Sequence, residues 1–374
     1  MQNERKGYRD TVPHSHSRKT LKRDNQGKRK MKSFWKEIKN EKRPVVIYGT
    51  GDAAEKLFNM LKKKGIRTMA FSSSSTFLRD RSFLSYKVLS LERVEEIFGD
   101  DIVLLLAFGS HDKAVIDHIV SLSRKYDLFM PDLLRDEEDE AVTDETLRKE
   151  SKRIEWAYSL LSDSFSRDVF SSTLEYRVTG RIEPLMKVGR EEEENWDLLE
   201  LKKEDIFLDG GAYNGDTVSL FIQKSGGYNE IYAFEPSSLS FRRLNEKYGG
   251  KEGIYLINAA LGEKDGEVSF SLGHGRGNKV EKGDGTRVRS IDSILEGRRV
   301  DVIKLDIEGE EENALEGAKE TIKKYRPRIL LSCYHKNDDY WRLLEKVWEI
   351  RDDYKVYMRK NISLPNWDTY YVLK

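Results

Sequence analysis

The sequence holds a single cysteine, Cys333, in 374 residues. A disulfide framework within the chain is excluded, and so is a cysteine-based zinc site. One thiol fits a reducing compartment, so a cytoplasmic protein is expected. Long apolar runs are also missing. The longest strongly apolar stretch, IVLLLAF at residues 102–108, is far short of the ~20 residues that span a bilayer. No transmembrane segment is expected, and the opening residues lack the apolar core of a secretory signal. Net charge is absent too: 66 basic and 66 acidic residues cancel. Without a basic surplus, nucleic acid is not expected as the main partner, because phosphate binding usually draws on one.

What is present suits a polar but globular chain: 38% apolar, 35% charged and 10% aromatic residues. Residues 1–33 are Lys/Arg-rich and nearly free of apolar side chains, as in Lys28, Arg29, Lys30 and Lys32, so a basic disordered tail is expected. From Arg43, PVVIYGTGDAAEKLFNMLKKKGI reads as strand, turn and helix. RTMAFSS, DIVLLLAFGS and LFMPDLL continue an alternation of strands and helices. That alternation implies a parallel sheet, and a small Rossmann-like α/β domain is expected over 34–133. Its turn GTGDAA (Gly49, Gly51, Ala54) approaches the dinucleotide fingerprint, but the following strand ends in AFSSSS with no ribose-binding acid. Either a nucleotide-like ligand or a plain tight turn is compatible with it. Residues 134–201 read as a charged helical bridge with an acidic connector, RDEEDEAVTDE. Its run Glu191–Glu194 reads as a solvated helix face.

A second alternating pattern fills 202–374. Strands are expected at DIFLD, EIYAFE, IYLINAA, VDVIKLD, PRILLSC, YKVYMR and TYYVLK, with helices at 216–224, 238–248, 310–325 and 338–351. LGEKDGEVSFSLG reads as a hairpin turned at Asp265-Gly266. The last two strands have only a polar loop between them and are expected antiparallel. The expected fold class is therefore α/β: a seven-stranded, Rossmann-like sheet of the class I methyltransferase type, plus the smaller first domain and the helical bridge.

The turn FLDGGAYNGDTVSLF carries Asp209, Gly210, Gly211 and Gly215 between a strand and a helix. It lacks the Gly-Lys-Ser/Thr of a P-loop and the spacing of the dinucleotide fingerprint. One strand later YAFEP ends in Glu235, an acid placed to accept hydrogen bonds from ribose hydroxyls. An acid and a glycine turn followed by a second acid suit a nucleoside without a pyrophosphate, and S-adenosylmethionine is such a ligand. Its ammonium is a match for Asp209.

At this point the chain resembles a known family. FLDGGAYNGDTVSLF, FEPSSLSFRRL, INAALGEKDG, VRSIDSIL and DVIKLDIEGEEENALEGAKETIKKYRPRILLSCYH follow in the order of the FkbM-type S-adenosylmethionine-dependent methyltransferases. The K-x-D-x-E-G-x-E motif is met by Lys304, Asp306, Glu308, Gly309 and Glu311, with Gly317 and Ala318 downstream. The resemblance covers about residues 202–374. It implies O-methylation of a hydroxyl on a sugar, glycolipid or secondary metabolite, hence a small-molecule or glycan acceptor. It also implies that Asp209, Gly211, Asn214 and Gly215 meet the methionine end of the cofactor, that Glu235 meets the ribose, and that Asn258 and Ala259 lie near the adenine. The alternative is a non-catalytic nucleotide-sensing or scaffold protein that keeps the fold.

KLDIEGEE ends the fourth strand of this second pattern, so Asp306 and Glu308 face the crevice at the strand ends. With Lys304 they are candidates for the acceptor side. They could hold a hydroxyl or a divalent cation, although no metal site is assigned, and Glu308 and Glu311 could equally favour the following helix dipole. Of the six histidines, His335 falls at the carboxyl end of the fifth strand and His274 in the loop GHGRG. His335 is expected to act as general base with Asp306 orienting it or the acceptor, and His274 to contact substrate.

Overall fold

A computed structural model describes residues 32–74, 82–133, 142–271 and 279–374, without the side chains of 268–271 and 279–284. The expected basic tail up to residue 31, residues 135–141 of the acidic connector and His274 lie outside the described residues.

Strands β1 (Val45–Tyr48), β2 (Thr68–Ser72), β3 (Ser82–Phe83), β4 (Tyr86–Leu89), β5 (Val103–Leu106) and β6 (Asp127–Phe129) form one sheet in the order β3-β4-β2-β1-β5-β6. All pairs are parallel except β3 with β4. VVIY and VLLL are buried at every position because both faces are covered. Helix Asp52–Lys63 packs Ala54, Leu57 and Leu61 with Val45, Ile47, Val103 and Leu105. Helix Lys113–Lys125 packs Ile116, Ile119 and Leu122 with Val46, Tyr48, Leu104 and Leu106.

Five helices follow: Asp144–Lys149, Ser151–Ser159, Ser164–Thr179, Glu183–Val188 and Glu193–Leu198. The third starts at Asp163, whose side chain accepts from Ser166 N, and stops at Gly180 in the left-handed conformation. Its Tyr176 joins the core of the first sheet, while Val169, Phe170 and Leu174 join that of the second.

The second sheet contains β7 (Gly189–Arg190), β8 (Ile206–Gly210), β9 (Glu230–Phe234) and β10 (Ile254–Ile257). A separate small sheet is made by β11 (Ala260–Leu261), β12 (Gly266–Ser271) and β13 (Lys279–Arg289). The second sheet is completed by β14 (Val302–Leu305), β15 (Arg328–Ser332), β16 (Val356–Asn361) and β17 (Thr369–Leu373), in the order β10-β9-β8-β14-β15-β17-β16-β7. The seven expected strands are all present, and β17 runs antiparallel to both β15 and β16. The sheet has eight strands rather than seven: β7 adds to β16 at Lys360 and Asn361, and two residues are too few to carry an alternation signal. Alternate residues face two cores. Leu208, Phe234, Ile303, Leu305, Ile329 and Leu331 pack on one side; Phe207, Ile231, Val302, Leu330 and Val372 pack on the other. Among the described residues, no helix is long and apolar enough to cross a membrane.

Two local expectations are corrected. The hairpin at Asp265-Gly266 does not form, because β11 and β12 both pair with β13 instead of each other. The Asp265 side chain accepts from Ser290 N and Ser293 Oγ, tying the start of β12 to the helix Ile291–Leu295. The expected helix 310–325 is broken into Glu311–Glu316 and Lys319–Tyr325. At the break, a Cβ on Gly317 would lie 2.1 Å from Gly262 O. Gly317 O accepts from Asp292 N, and the Asp292 carboxylate accepts from Glu320 N and Thr321 N, so an outside side chain caps the second piece.

Gly317→Ala is expected to destabilise the fold by about 1–3 kcal/mol, the usual cost of overpacking, which outweighs the ~1 kcal/mol that alanine gains over glycine at a helical position. Urea denaturation measures it as a lower midpoint. An unchanged midpoint would mean that the Gly262 turn yields freely.

Candidate active site

After the edge strand β7, the chain runs through β8, builds outward through β9 and β10, and then returns to β14 on the other side of β8. This reversal opens a crevice at the carboxyl ends of β8 and β14, where ligands bind in such sheets. Asp209 and Lys304 are direct partners across the two strands.

Asp209 is fully buried, with Oδ1 3.2 Å from Lys304 Nζ. Among the described residues neither of its oxygens takes a hydrogen bond. Burial pushes its carboxyl above the usual range, and the Lys304 ammonium offsets only part of this. Lys304 Nζ also donates to Gly211 O at 3.1 Å. Expected on the acceptor side, Lys304 is placed within the backbone network of the glycine turn. Burial lowers its pKa, but Asp209 and then Asp306 raise it further, so the ammonium stays charged.

The turn itself demands glycine. Gly211 has φ 84°, and a Cβ there would lie 2.1 Å from Asp306 O. Gly211 N and Ala212 N donate to Phe234 O, which ties the turn to β9. Gly215, at φ 80°, starts the helix Asp216–Ser225 against the Tyr248 ring, and Asn214 Oδ1 accepts from Asp216 N.

Glu235, just past β9, is 6% exposed. Its Oε2 accepts from Tyr213 N at 2.9 Å and its Oε1 from Ser237 N at 2.8 Å. Burial outweighs these bonds and pushes its carboxyl up to about 6. Asn258 Nδ2 donates to Glu235 O and Pro236 O, so it fixes the backbone that presents Glu235; Ala259 beside it is buried.

A second group stands at the ends of β14 and β15. His335 Nδ1 lies 2.9 Å from Glu311 Oε1, and His335 Nε2 lies 3.5 Å from both Asp306 Oδ1 and Glu308 Oε2. Asp306 accepts from Tyr334 OH at 3.1 Å and from Tyr370 OH at 3.2 Å. Burial pushes the Asp306 carboxyl up, but Lys304 and then His335 outweigh it and hold it below the usual range. Glu308 sits at φ 65°, strained for a side chain with a Cβ. Glu311 is fully buried, opens the helix Glu311–Glu316 and accepts from Ile307 N. Its neighbour Asp339 is pushed up to about 7, by burial first and then by Glu311. Glu311 is held below the usual range because the His335 ring outweighs the effect of burial. Of these two buried acids, Asp339 is shifted towards the protonated form and Glu311 towards the ionised one. His335 is thus placed beside Asp306 and Glu308. Glu311, Tyr334 and Tyr370 complete the group; in sequence only the final Glu of K-x-D-x-E-G-x-E signalled any of the three.

The first sheet touches this region. Ser110, after β5, exchanges backbone hydrogen bonds with Leu364 in the β16–β17 loop, at 2.7 and 3.0 Å. His111 stacks on Trp367 and lies 3.0 Å from Asp368. The Gly49 turn follows β1, and a Cβ on Gly49 would lie 3.1 Å from Ala107 O, so the glycine serves close packing.

A doubly wound sheet with an antiparallel end, a glycine turn after β8 and acids at the ends of β8 and β9 give the Rossmann-like fold seen in class I methyltransferases. Residues 209–355 match the methyltransferase FkbM domain. It is similar to the crystal structure of methyltransferase FkbM from Methylobacillus flagellatus KT, with TM-score 0.70 and 21% identity over 88% of this chain and 90% of that one. It is also 25% identical over 155 residues to the 2-O-methyltransferase NoeI of Sinorhizobium fredii (strain NBRC 101917 / NGR234), a match covering 34% of this chain. The match spans 63% of the length of that relative.

A Glu235 carboxyl raised from 4.5 to about 6 in the fold favours the protonated form. Its contribution to stability is therefore present below about pH 4.5 and lost as pH rises through about 6. Relative to Glu235→Gln, the wild-type chain should lose about 2 kcal/mol of unfolding free energy between pH 4.5 and pH 7, at 1.36 kcal/mol per pKa unit. Urea titrations of both proteins across this range measure it, and a wild-type stability that holds or rises relative to Glu235→Gln as the pH increases refutes the assignment.

Proposed function

We propose that the chain is an S-adenosylmethionine-dependent O-methyltransferase acting on a hydroxyl of a sugar or related metabolite. The observation that carries this reading is Asp209, a fully buried carboxylate with no hydrogen bond among the described residues, set beside a turn that only glycine can form. Such an acid suits a ligand ammonium, and Glu235 keeps lone pairs for two ribose hydroxyls. Asn214 and the turn backbone would complete the methionine end, while Asn258 and Ala259 border the space for the adenine. When bound, the cofactor supplies an activated methyl group on a sulfonium.

The residues of this chain have two tasks. Those after β8 and β9 hold the donor; those after β14 and β15 receive the acceptor. Because methyl transfer is an in-line displacement, most of the catalysis is positioning. The acceptor hydroxyl must lose its proton, and the His335–Asp306–Glu308 group is proposed to draw it off. A sugar-like acceptor is supported by the acidic, tyrosine-bearing wall formed by Asp306, Tyr334 and Tyr370, and by the name of the 2-O-methyltransferase relative.

The test is transfer of a labelled methyl group from S-adenosylmethionine to glycan and metabolite extracts, with release of S-adenosylhomocysteine. Glu235→Ala should weaken S-adenosylhomocysteine binding by about ten-fold or more in calorimetry, from the roughly 1.5–3 kcal/mol of a charged hydrogen bond. An unchanged dissociation constant rejects Glu235 as the ribose acceptor.

His335→Ala should lower kcat by about 10²–10⁴-fold while S-adenosylhomocysteine affinity holds. Retention of more than about a third of wild-type kcat, with chemistry limiting turnover, would remove His335 from the reaction.

A further inference from the structure

We propose that Trp367 and Asp368 of the β16–β17 loop, backed by His111 of the first sheet, form a subsite that holds a sugar ring of the methyl acceptor. The proposal rests on the methyl-transfer reading for the purpose of that ring, and it names the residues that would select it.

Trp367 is 37% exposed, although tryptophan is highly buried on average. It is nevertheless fixed in place. The His111 ring stacks on it, with centroids 5.5 Å apart and planes 27° apart. The backbone of the first sheet also abuts it, since a Cβ on Gly109 would lie 2.5 Å from its ring. Trp367 O accepts from Ser363 Oγ at 2.9 Å, and Lys360 Nζ donates to Asn361 O and Ser363 O. The bridge between Ser110 and Leu364 ties the same loop to the first sheet. An aromatic ring held in position before a ligand arrives loses little freedom when the ligand binds.

Asp368 stands beside this ring at φ 52°, a left-handed conformation that is strained for a residue with a Cβ. A bond from Asn361 N to Asp368 O, at 2.9 Å, holds it there. Asp368 Oδ2 lies 3.0 Å from His111 Nδ1. A carboxylate has about four lone-pair positions, so this contact leaves room to accept from ligand hydroxyls.

The pair adjoins the acceptor side of the crevice. Asp368 comes two residues before Tyr370, whose hydroxyl donates to Asp306. Burial first, and then Asp306 and Asp368, push the hydroxyls of Tyr334 and Tyr370 far above their ordinary range. The two carboxylates thus act on the same two hydroxyls, and the wall of Asp306, Tyr334 and Tyr370 continues to Asp368 and Trp367. An exposed aromatic ring next to a carboxylate matches the two characters of a pyranose. Its C–H face packs on the ring, and its hydroxyls donate to the acid. A wholly apolar acceptor would desolvate Asp368 and give it no hydrogen bond in return. A sugar seated here is tethered beside the group proposed to take the proton, which favours the reaction by proximity.

The test applies the full chain, with saturating S-adenosylhomocysteine, to an array of neutral oligosaccharides. Wild-type protein should bind a subset of them. Trp367→Ala and Asp368→Gly should each weaken that binding at least about ten-fold, while Trp367→Phe and Asp368→Asn, which keep a ring and an acceptor oxygen, retain more of it. Asp368→Gly is the decisive variant, because glycine adopts the left-handed conformation without strain. Thermal melts confirm folding, and S-adenosylhomocysteine affinity should be unchanged in every variant. For methyl transfer to a bound oligosaccharide, Asp368→Gly should raise KM about ten-fold with kcat nearly constant, the mark of lost uniform binding. No glycan binding by the wild-type chain, or equal binding by wild type and Asp368→Gly, overturns the subsite. The methyl-transfer reading survives that result if labelled methyl still passes to another acceptor. Glycan binding that depends on Asp368, in a chain that transfers no methyl group, keeps the subsite and overturns the reading.

Discussion

The burial of one ion pair at the centre of the second sheet shapes everything around it. Asp209 and Lys304 are partners across β8 and β14 and neither reaches solvent to any extent. A buried pair of this kind adds little net stability, because desolvation consumes most of the attraction. Removing one partner, however, leaves the other charge stranded, at about 3–5 kcal/mol. The pair therefore fixes the register of the two strands whose ends carry the site. Lys304 also reaches Gly211 O, so the same charge that balances Asp209 holds the turn closed. The close approach of Gly211 to Asp306 O follows from that register.

From this pair the electrostatics divide into two halves. On the β9 side, burial dominates and Glu235 is pushed up to about 6. On the β14–β15 side, burial is outweighed by positive neighbours, Lys304 for Asp306 and His335 for Glu311. One half thus keeps an acid that is reluctant to ionise and is held by backbone amides, and the other keeps acids charged around a histidine. Asp339, pushed up by burial and then by Glu311, is the acid of the group most easily protonated.

Much of this is legible in the sequence, for identifiable reasons. The strands of both sheets read as short continuous apolar runs because they are buried on two faces. Asp209 and Glu235 can be found because each ends a strand beside a turn. Position in a strand also locates His335 and Asp306, but which of them faces which cannot be read from spacing. That depends on the backbone of Glu308, held at φ 65°. The break at Gly317 is invisible because its cause, Gly262 O, lies 55 residues away in the chain. The failed hairpin has the same origin. Asp265-Gly266 is a good local turn, yet β12 pairs along its length with β13, and the tertiary partner wins. The two-residue β7 carries no period at all.

The bridge between Ser110 and Leu364 has a consequence for how the molecule can be taken apart. Leu364 is buried with Tyr176, Ile182 and Leu185 in the core of the first sheet, although it belongs to the β16–β17 loop of the second. A Cβ on Gly109 would lie 2.5 Å from the Trp367 ring, so the fit is close. The first sheet is therefore not a detachable cassette. Cutting it away would uncover an apolar face on the remainder and leave without support the loop that leads into Tyr370, one of the two tyrosines on Asp306. Recombination between relatives would have to carry the first sheet and this loop together, and the two are expected to change as a unit over evolutionary time.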